Sequence, residues 1–297
     1  PIASMRIGII SRGKKNYSTL RLVKASNELG HRVTLMDPWD CTMYIAAEGP
    51  AITHNERSVE GLDVVIPRLG SATAEYGMEL VAHFEHVGVP SVNGAGAIEL
   101  ARHKWRSLRV LAEHGLPVPA TFLAGAVGDL DRGVKRVGGY PLITKPFQGT
   151  QGSGIMLFET PLTMKSALLA FWNMGKNFIA QEFSPEASGR DIRVLVVGDE
   201  VIGAMERVAA EGDFRANLHR GGQARAIRAS DEITDLAVRA AAAVGLGIAG
   251  VDMLRMGNDL VVLEVNPSPG FEGFEEATRR DVACVMIKHA MSVASGA

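Results

Sequence analysis

The sequence predicts a mixed protein, α/β in its N-terminal part and α+β beyond it, and three observations carry that prediction. Over residues 5–100, short apolar runs alternate with helical stretches across short connections, the pattern of an open α/β sheet. Residues 191–208 and 251–265 each read as two strands reversing over a turn, at Gly198-Asp199 in one and at Gly257-Asn258-Asp259 in the other. Residues 141–154, PLITKPFQGTQGSG, place a lysine-bearing strand directly before a glycine-rich loop.

The first strand is expected over residues 5–11, with a helix over 18–29 that Ser18 caps and Gly30 ends. Further strands fall at 31–36, 63–69 and 89–93, around a helix at 73–87. Residues 95–114 then read as one helix with Leu100, Trp105, Leu108 and Leu111 on its apolar side, closed by Gly115, Pro117 and Pro119. Beyond the strand at 142–147 come a helix at 164–174 and a strand at 178–183. A loop at 209–223, an alanine-rich helix at 231–244 and an amphipathic helix at 281–294 complete the order.

A chain of 297 residues is long enough for two or three compact units. Hydrophobic residues make up 46% and charged residues 22%, the balance of a folded chain rather than a disordered one. The net charge of −2 gives no reason to expect a nucleic-acid or membrane-surface partner. Cys41 and Cys284 stand far apart and make no zinc spacing, which fits a reducing cytoplasm. Met5 is expected to be the natural start, and residues 1–4 stand outside the fold. No leader is expected, and the apolar run at 240–251 is shorter than the ~20 residues a bilayer needs.

The chemistry-bearing residues are oxygen and nitrogen donors. Asp252 lies on one strand of the last hairpin, and Glu264 and Asn266 share one face of the other by strand parity. Two carboxylates and an amide oxygen suit Mg²⁺ better than zinc, although a polar strand end capped by an Asx turn would look the same. Lys145 lies inside an apolar strand and must either snorkel or meet an anion. Gly149, Gly152 and Gly154 allow backbone amides to approach phosphate, or simply make a turn; no Walker A sequence follows. Arg12 and Arg68 sit past strand ends, where ligands of α/β sheets gather. Arg215, His219 and Arg220 make a cationic rim in the 209–223 loop. The turn after the first strand lacks the dinucleotide G-x-G-x-x-G spacing.

Taken in order, KPFQGTQGSG, AQEF, GRDIRVLVVGDEV, EGDFRANLHRGG, AGVDMLR and LEVNPSPGFEG resemble the ATP-grasp fold, and within it the RimK-type α-L-glutamate ligases. The resemblance implies an N-terminal pre-ATP-grasp domain at 5–100, a central lid-bearing subdomain at 101–188 and a C-terminal catalytic subdomain at 189–297. It assigns Lys104 and Lys145 to the nucleotide phosphates, the Gly149–Gly154 loop to their cover, and Gln181, Glu182 and Phe183 to the adenine. Asp191 falls near the ribose, and Arg215, Ala216 and Asn217 in the loop that reaches phosphate or substrate. Asp252, Glu264 and Asn266 become ligands of two Mg²⁺ or Mn²⁺ ions, and Arg193, Arg207, Arg215 and Arg220 the candidates for transition-state charge. Departures from the family pattern are Pro146-Phe147-Gln148 in place of an acidic stretch, Arg190 beside Asp191, and Gly250 where the D-alanine–D-alanine ligase branch carries arginine.

The implied activity joins L-glutamate to a carboxylate acceptor with ATP, through an acyl phosphate. The family's acceptors are the C-terminal glutamate of a small-subunit ribosomal protein or a growing poly-α-glutamate chain. Coenzyme, peptide or N-acetyl amino acid acceptors are the alternative. Rivals of another kind are a non-catalytic nucleotide-binding module and a small-molecule kinase. The enzyme is expected to be a cytoplasmic homo-oligomer.

Overall fold

The computed structural model describes residues 4–149, 154–210, 212–214 and 221–296. Of the candidate residues, Gly152, Arg215, Ala216, Asn217 and Arg220 lie outside these segments, as does His219.

The chain begins with β1 (Arg6–Ile10), α1 (Tyr17–Glu28) and β2 (Arg32–Met36), then β3 (Cys41–Ala46), β4 (Gly49–His54) and β5 (Arg57–Ser58). Next come β6 (Val64–Pro67), α2 (Ala74–His86), α3 (Ala95–Arg102) and α4 (Lys104–Glu113). The middle contains β7 (Thr121–Phe122), α5 (Leu130–Arg136), β8 (Leu142–Pro146), β9 (Met156–Phe158), α6 (Pro161–Asn173) and β10 (Phe178–Glu182). The last part runs β11 (Arg190–Val197), β12 (Glu200–Val208), β13 (Gln223–Ile227), α7 (Asp231–Val244), β14 (Ile248–Met256), β15 (Asp259–Asn266), α8 (Glu272–Thr278) and α9 (Val282–Ser295).

Four sheets result. β2-β1-β6 is parallel, as the alternating N-terminal pattern predicts, and β3-β4-β5 is a small antiparallel sheet in a stretch for which no strands are expected. The central sheet β7-β10-β8-β9 and the C-terminal sheet β13-β12-β11-β14-β15 are both antiparallel. Val194, Leu195, Val196 and Val197 are all buried because the C-terminal sheet is covered on both faces. Val194 and Val196 join α7 in one core, whereas Leu195 and Val197 share a second core with Ile7, Leu22, Ile66 and Ile287. The first strand and the last helix therefore stabilise each other across the length of the chain. Helix ends follow the sequence: Ser230 caps α7 through the Ile233 amide, and Gly245 closes it at φ 79°.

Two expectations are corrected. Residues 89–93 form no strand; only isolated bridges occur, Ser91 to Val65 and Asn93 to Leu246. Here Asn93 is buried and its amide serves three backbone partners, Ile248 N–H, Ile248 C=O and Pro267 C=O, each at 2.8–2.9 Å. The helix expected over 95–114 is broken at His103, whose backbone is extended. The break frees the Lys104 amide to donate to the Phe147 carbonyl at 2.9 Å, and the His103 ring packs on Phe147 at 4.7 Å. Local helix propensity gives way to a tertiary contact that places Lys104 at the start of α4.

Candidate active site

Strand register builds the centre of the site. Arg193 on β11 is paired with Asp252 on β14, and Asp252 with Glu264 on β15, so three charged residues stand in a row across adjacent strands. Gly250 and Asn266 form the next register pair on the same face. Asp191 and Arg207 are likewise opposite one another on β11 and β12.

The side chains form a connected network. Arg193 donates to both Asp252 oxygens at 2.6 and 2.5 Å, and Arg207 to both Asp191 oxygens at 2.6 and 2.5 Å. Arg207 Nη2 also reaches Asp252 Oδ2 at 3.0 Å, linking the two forks. Asp252 is 4% exposed, so removing either guanidinium would leave buried charge poorly compensated. Burial pushes the Asp191 carboxyl up to about 6, and nearby Asp252 adds to the rise while Arg207 opposes it.

Two lysines arrive from other elements. Lys104 Nζ donates to Glu264 Oε2 at 2.8 Å, and this ammonium holds the Glu264 carboxyl down at about 2. Lys145, opposite Ile179 on β10, donates to Gln181 Oε1 at 2.6 Å, and Gln181 passes its own N–H to Thr121 Oγ1 at 2.9 Å. Burial, and after it the neighbouring Lys104, bring Lys145 down to about 8 against the opposing pull of Glu264 and Asp252. The two lysines and two carboxylates thus lie within one electrostatic neighbourhood.

The Gln181–Phe183 segment is partly engaged. Glu182 accepts from the Ala120 amide at 2.5 Å while its own amide donates to the Ala120 carbonyl at 2.9 Å. Phe183 meets Phe214 edge to face at 6.1 Å. An open cleft of about 530 Å³ runs beside Glu182, lined also by Pro117, Val118, Leu260 and Val261, but none of the charged network lines it. Gly149 is exposed and Gly154 has φ 76°; in sequence they bracket the connection between β8 and β9. Sequence reasoning missed Ala120, Thr121 and Phe147, which act through backbone or hydroxyl groups and carry no motif.

The donor set fits a hard divalent cation. Asp252, Glu264 and Asn266 share one face by strand register; Glu264 is anionic, Asn266 Oδ1 accepts the Ser268 amide at 3.0 Å, and both Asp252 oxygens are held by Arg193 and Arg207, so a cation would have to displace part of that fork. Among the described residues no group of three or more His, Cys, Asp or Glu is arranged for a metal. The trio needs its amide oxygen to be complete. At Gly250, an added Cβ would lie 2.9 Å from Pro269 Cβ, so the loop after Asn266 fills the space an arginine would need.

Comparison with known proteins places this architecture. The RimK-like ATP-grasp domain matches residues 101–290, and the RimK PreATP-grasp domain matches residues 5–98. A protein of Marinomonas sp. (strain MWYL1) named "Probable alpha-L-glutamate ligase" is 45% identical over 288 residues, covering 96% of this chain and 95% of the relative. The solved ATP-grasp ligase PsnB with its minimal precursor superposes with a TM-score of 0.77 at 24% identity, over 98% of this chain and 100% of that one. PsnB with minimal precursor, Mg and ADP gives 0.73 at 22% identity, over 97% and 98%. The fold is thus that of the ATP-grasp enzymes, and the protein is an ATP-dependent ligase. Within that class the chain belongs to the RimK-like ATP-grasp family. Among the described residues, no helix is long and apolar enough to cross a membrane.

Proposed function

We propose that this enzyme is an α-L-glutamate ligase that joins the amine of L-glutamate to an acceptor carboxylate with ATP and Mg²⁺. The observation that carries the reading is the convergence of Lys104, Lys145, Asp252 and Glu264 from four separate strands and helices on one charged centre. The relatives' name supports glutamate as the added residue. The acceptor we favour is a C-terminal glutamate, on a small-subunit ribosomal protein or on a poly-α-glutamate chain, and the setting is the cytoplasm.

The reaction needs charge management rather than a nucleophilic side chain. An acceptor carboxylate oxygen attacks the γ-phosphorus of ATP, ADP departs, and an acyl phosphate forms. The glutamate amine then attacks the acyl carbon, and phosphate leaves with the carboxylate oxygen it acquired. Both steps gather negative charge on oxygen, which fixed cations stabilise. In this reading Lys145, held by Gln181, and Lys104 bind the phosphates, and Lys104 exchanges Glu264 for a phosphate oxygen as ATP enters. Arg193 and Arg207, oriented by Asp252 and Asp191, face the developing charge, with Arg215 and Arg220 as further candidates. Gln181, Glu182 and Phe183 receive the adenine, Asp191 lies near the ribose, the Gly149–Gly154 loop covers the phosphates and excludes water, and Arg215, Ala216 and Asn217 reach phosphate or substrate. Asp252, Glu264 and Asn266 would hold the two magnesium or manganese ions, which supply charge neutralisation at the phosphate oxygens.

The test is phosphate release with ATP and Mg²⁺ in the presence of each amino acid in turn, followed by mass spectrometry of the products. Masses rising in glutamate steps are the expected result. Phosphate release with a different amino acid, and none with glutamate, would overturn the substrate assignment.

A further inference from the structure

Arg68 follows β6 at the C-terminal edge of the parallel sheet, where its backbone N–H donates to the Ile10 carbonyl at 2.8 Å and keeps the main chain in register. Its side chain turns towards the loop after Asn266. There Nη2 donates to the Pro269 carbonyl at 2.6 Å, and the guanidinium lies 5.8 Å from the Phe271 ring centroid. These contacts use one of the five N–H donors and one face of the ion. Among the described residues no carboxylate pairs with Arg68, whereas Arg21, Arg193 and Arg207 each fork onto acidic groups. Burial alone lowers Arg68 to about 10. A half-buried guanidinium without a counter-ion is costly, and its remaining exposure lets an anion reach it and offset that cost.

A second feature lies in the same loop. Ser268 Oγ is buried and has no hydrogen-bond partner among the described residues, although its own amide is satisfied by Asn266 Oδ1. Ser268 precedes the residue whose carbonyl anchors Arg68 and follows Asn266 by two positions. Asn93 holds the other end of this loop through the Pro267 carbonyl, so the loop is fixed from both sides. The parallel-sheet edge is also where open α/β folds collect ligands.

We propose that Arg68 and Ser268 form a subsite for a carboxylate of one of the two amino-acid substrates, a carboxylate other than the one activated by ATP. Arg68 supplies the charge-assisted fork and Ser268 a hydroxyl donor. The assignment rests on the glutamate-ligase reading. It makes Arg68 a specificity residue contributed by the N-terminal unit, beside the loop that carries Asn266.

The experiment compares wild type with Arg68→Gln, Arg68→Lys and Ser268→Ala in the full chain. Equilibrium binding is measured by calorimetry with L-glutamate and with the dipeptide L-glutamyl-L-glutamate as separate probes, each also in amidated form. One probe should bind Arg68→Gln at least ten-fold more weakly than wild type, with Arg68→Lys in between and Ser268→Ala weakened less. Amidating the responsible carboxylate should weaken wild type as much and leave Arg68→Gln unaffected. The probe that responds tells whether the donor amino acid or the acceptor uses the subsite. KM for ATP should not change in any variant. Equal binding of both probes by wild type and Arg68→Gln would overturn the proposal and leave Arg68 a strut between β6 and the Pro269 loop. A parallel loss of melting temperature, ATP affinity and turnover would do the same, as would failure of wild type to bind either probe. Glutamate-dependent phosphate release by wild type is read separately, so failure of the ligase reading and failure of the subsite remain distinguishable.

Discussion

Two networks of arginine and carboxylate lie in this molecule, and they are built for different ends. In one, Tyr17 and Arg21 of α1 bind Glu275 of α8 at 2.7 and 2.8 Å, and Arg21 also binds Asp281 at the start of α9 at 2.8 Å. Glu275 further accepts the Ala283 amide at 3.2 Å. Each charge has a fixed partner, and the partners come from opposite ends of the chain. In the other, Arg193, Arg207, Asp191 and Asp252 interlock in the C-terminal sheet, and Lys104 and Lys145 stand close by. That second network gathers cations beyond what its own carboxylates need, and its lysine pairs are single hydrogen bonds that a phosphate group could replace. The first network closes the fold; in the proposed reading the second holds charge in reserve for a ligand.

Substitutions should separate the two. The largest effect is expected for Asp252→Asn, which removes a carboxylate from the proposed metal trio and loosens both arginine forks. Turnover should fall by about 10²–10³-fold or more while circular dichroism still reports a folded protein. Activity within a few-fold of wild type would place Asp252 in a purely structural role.

Lys145 gives a smaller effect with a pH signature. Its ammonium loses its proton at about 8 in the free enzyme, below the ordinary lysine value of 10.5. KM for ATP should therefore rise as pH increases through about 8, and Lys145→Ala should have a high KM that no longer follows that titration. For stability the sign is the reverse: the cost of the buried charge is present at and below neutral pH, and is relieved as pH rises from about 8 towards 10.5. A flat ATP profile up to pH 9 in wild type would count against Lys145 as a phosphate ligand.

The closing network should change stability alone. Arg21→Ala leaves Glu275, 8% exposed, without its guanidinium, and should cost about 2 kcal/mol of folding free energy in urea titrations, with kcat and KM near wild type. Burial raises Glu275, but hydrogen bonds from Arg21, Tyr17 and the Ala283 amide outweigh it and hold the folded carboxyl below its ordinary 4.5. Its contribution is therefore full above that pH and is lost as the solution is made more acidic. A kinetic defect in Arg21→Ala larger than the stability loss would blur the distinction between the networks.

The sequence carried the parts of this arrangement that depend on local rules. Strand parity was enough to align Glu264 with Asn266, and the hairpin turn was enough to bring Asp252 opposite Glu264 on the same face. The motifs KPFQGTQGSG and AQEF singled out Lys145 and Gln181, and the family resemblance added Lys104. Other features depend on contacts between distant segments. The break at His103 follows from the Phe147 carbonyl, not from helix propensity, and Asn93 leaves strand pairing because it meets buried backbone at Ile248 and Pro267. The fork between Arg193 and Asp252 is fixed by the β11–β14 register, which no single motif encodes. The β3–β5 sheet is not expected because its apolar residues do not follow a buried face: Tyr44 and Ile45 on β3 stand exposed.

The most direct test of the account follows the oxygen atoms. The acceptor, or glutamate where it serves as its own acceptor, is labelled with ¹⁸O in its carboxylates and turned over with unlabelled ATP and Mg²⁺. An acyl phosphate mechanism delivers one labelled oxygen to each inorganic phosphate released, in step with each new amide. Phosphate that emerges unlabelled while amide accumulates would contradict carboxylate attack on the γ-phosphorus, and with it the role assigned to the charged centre.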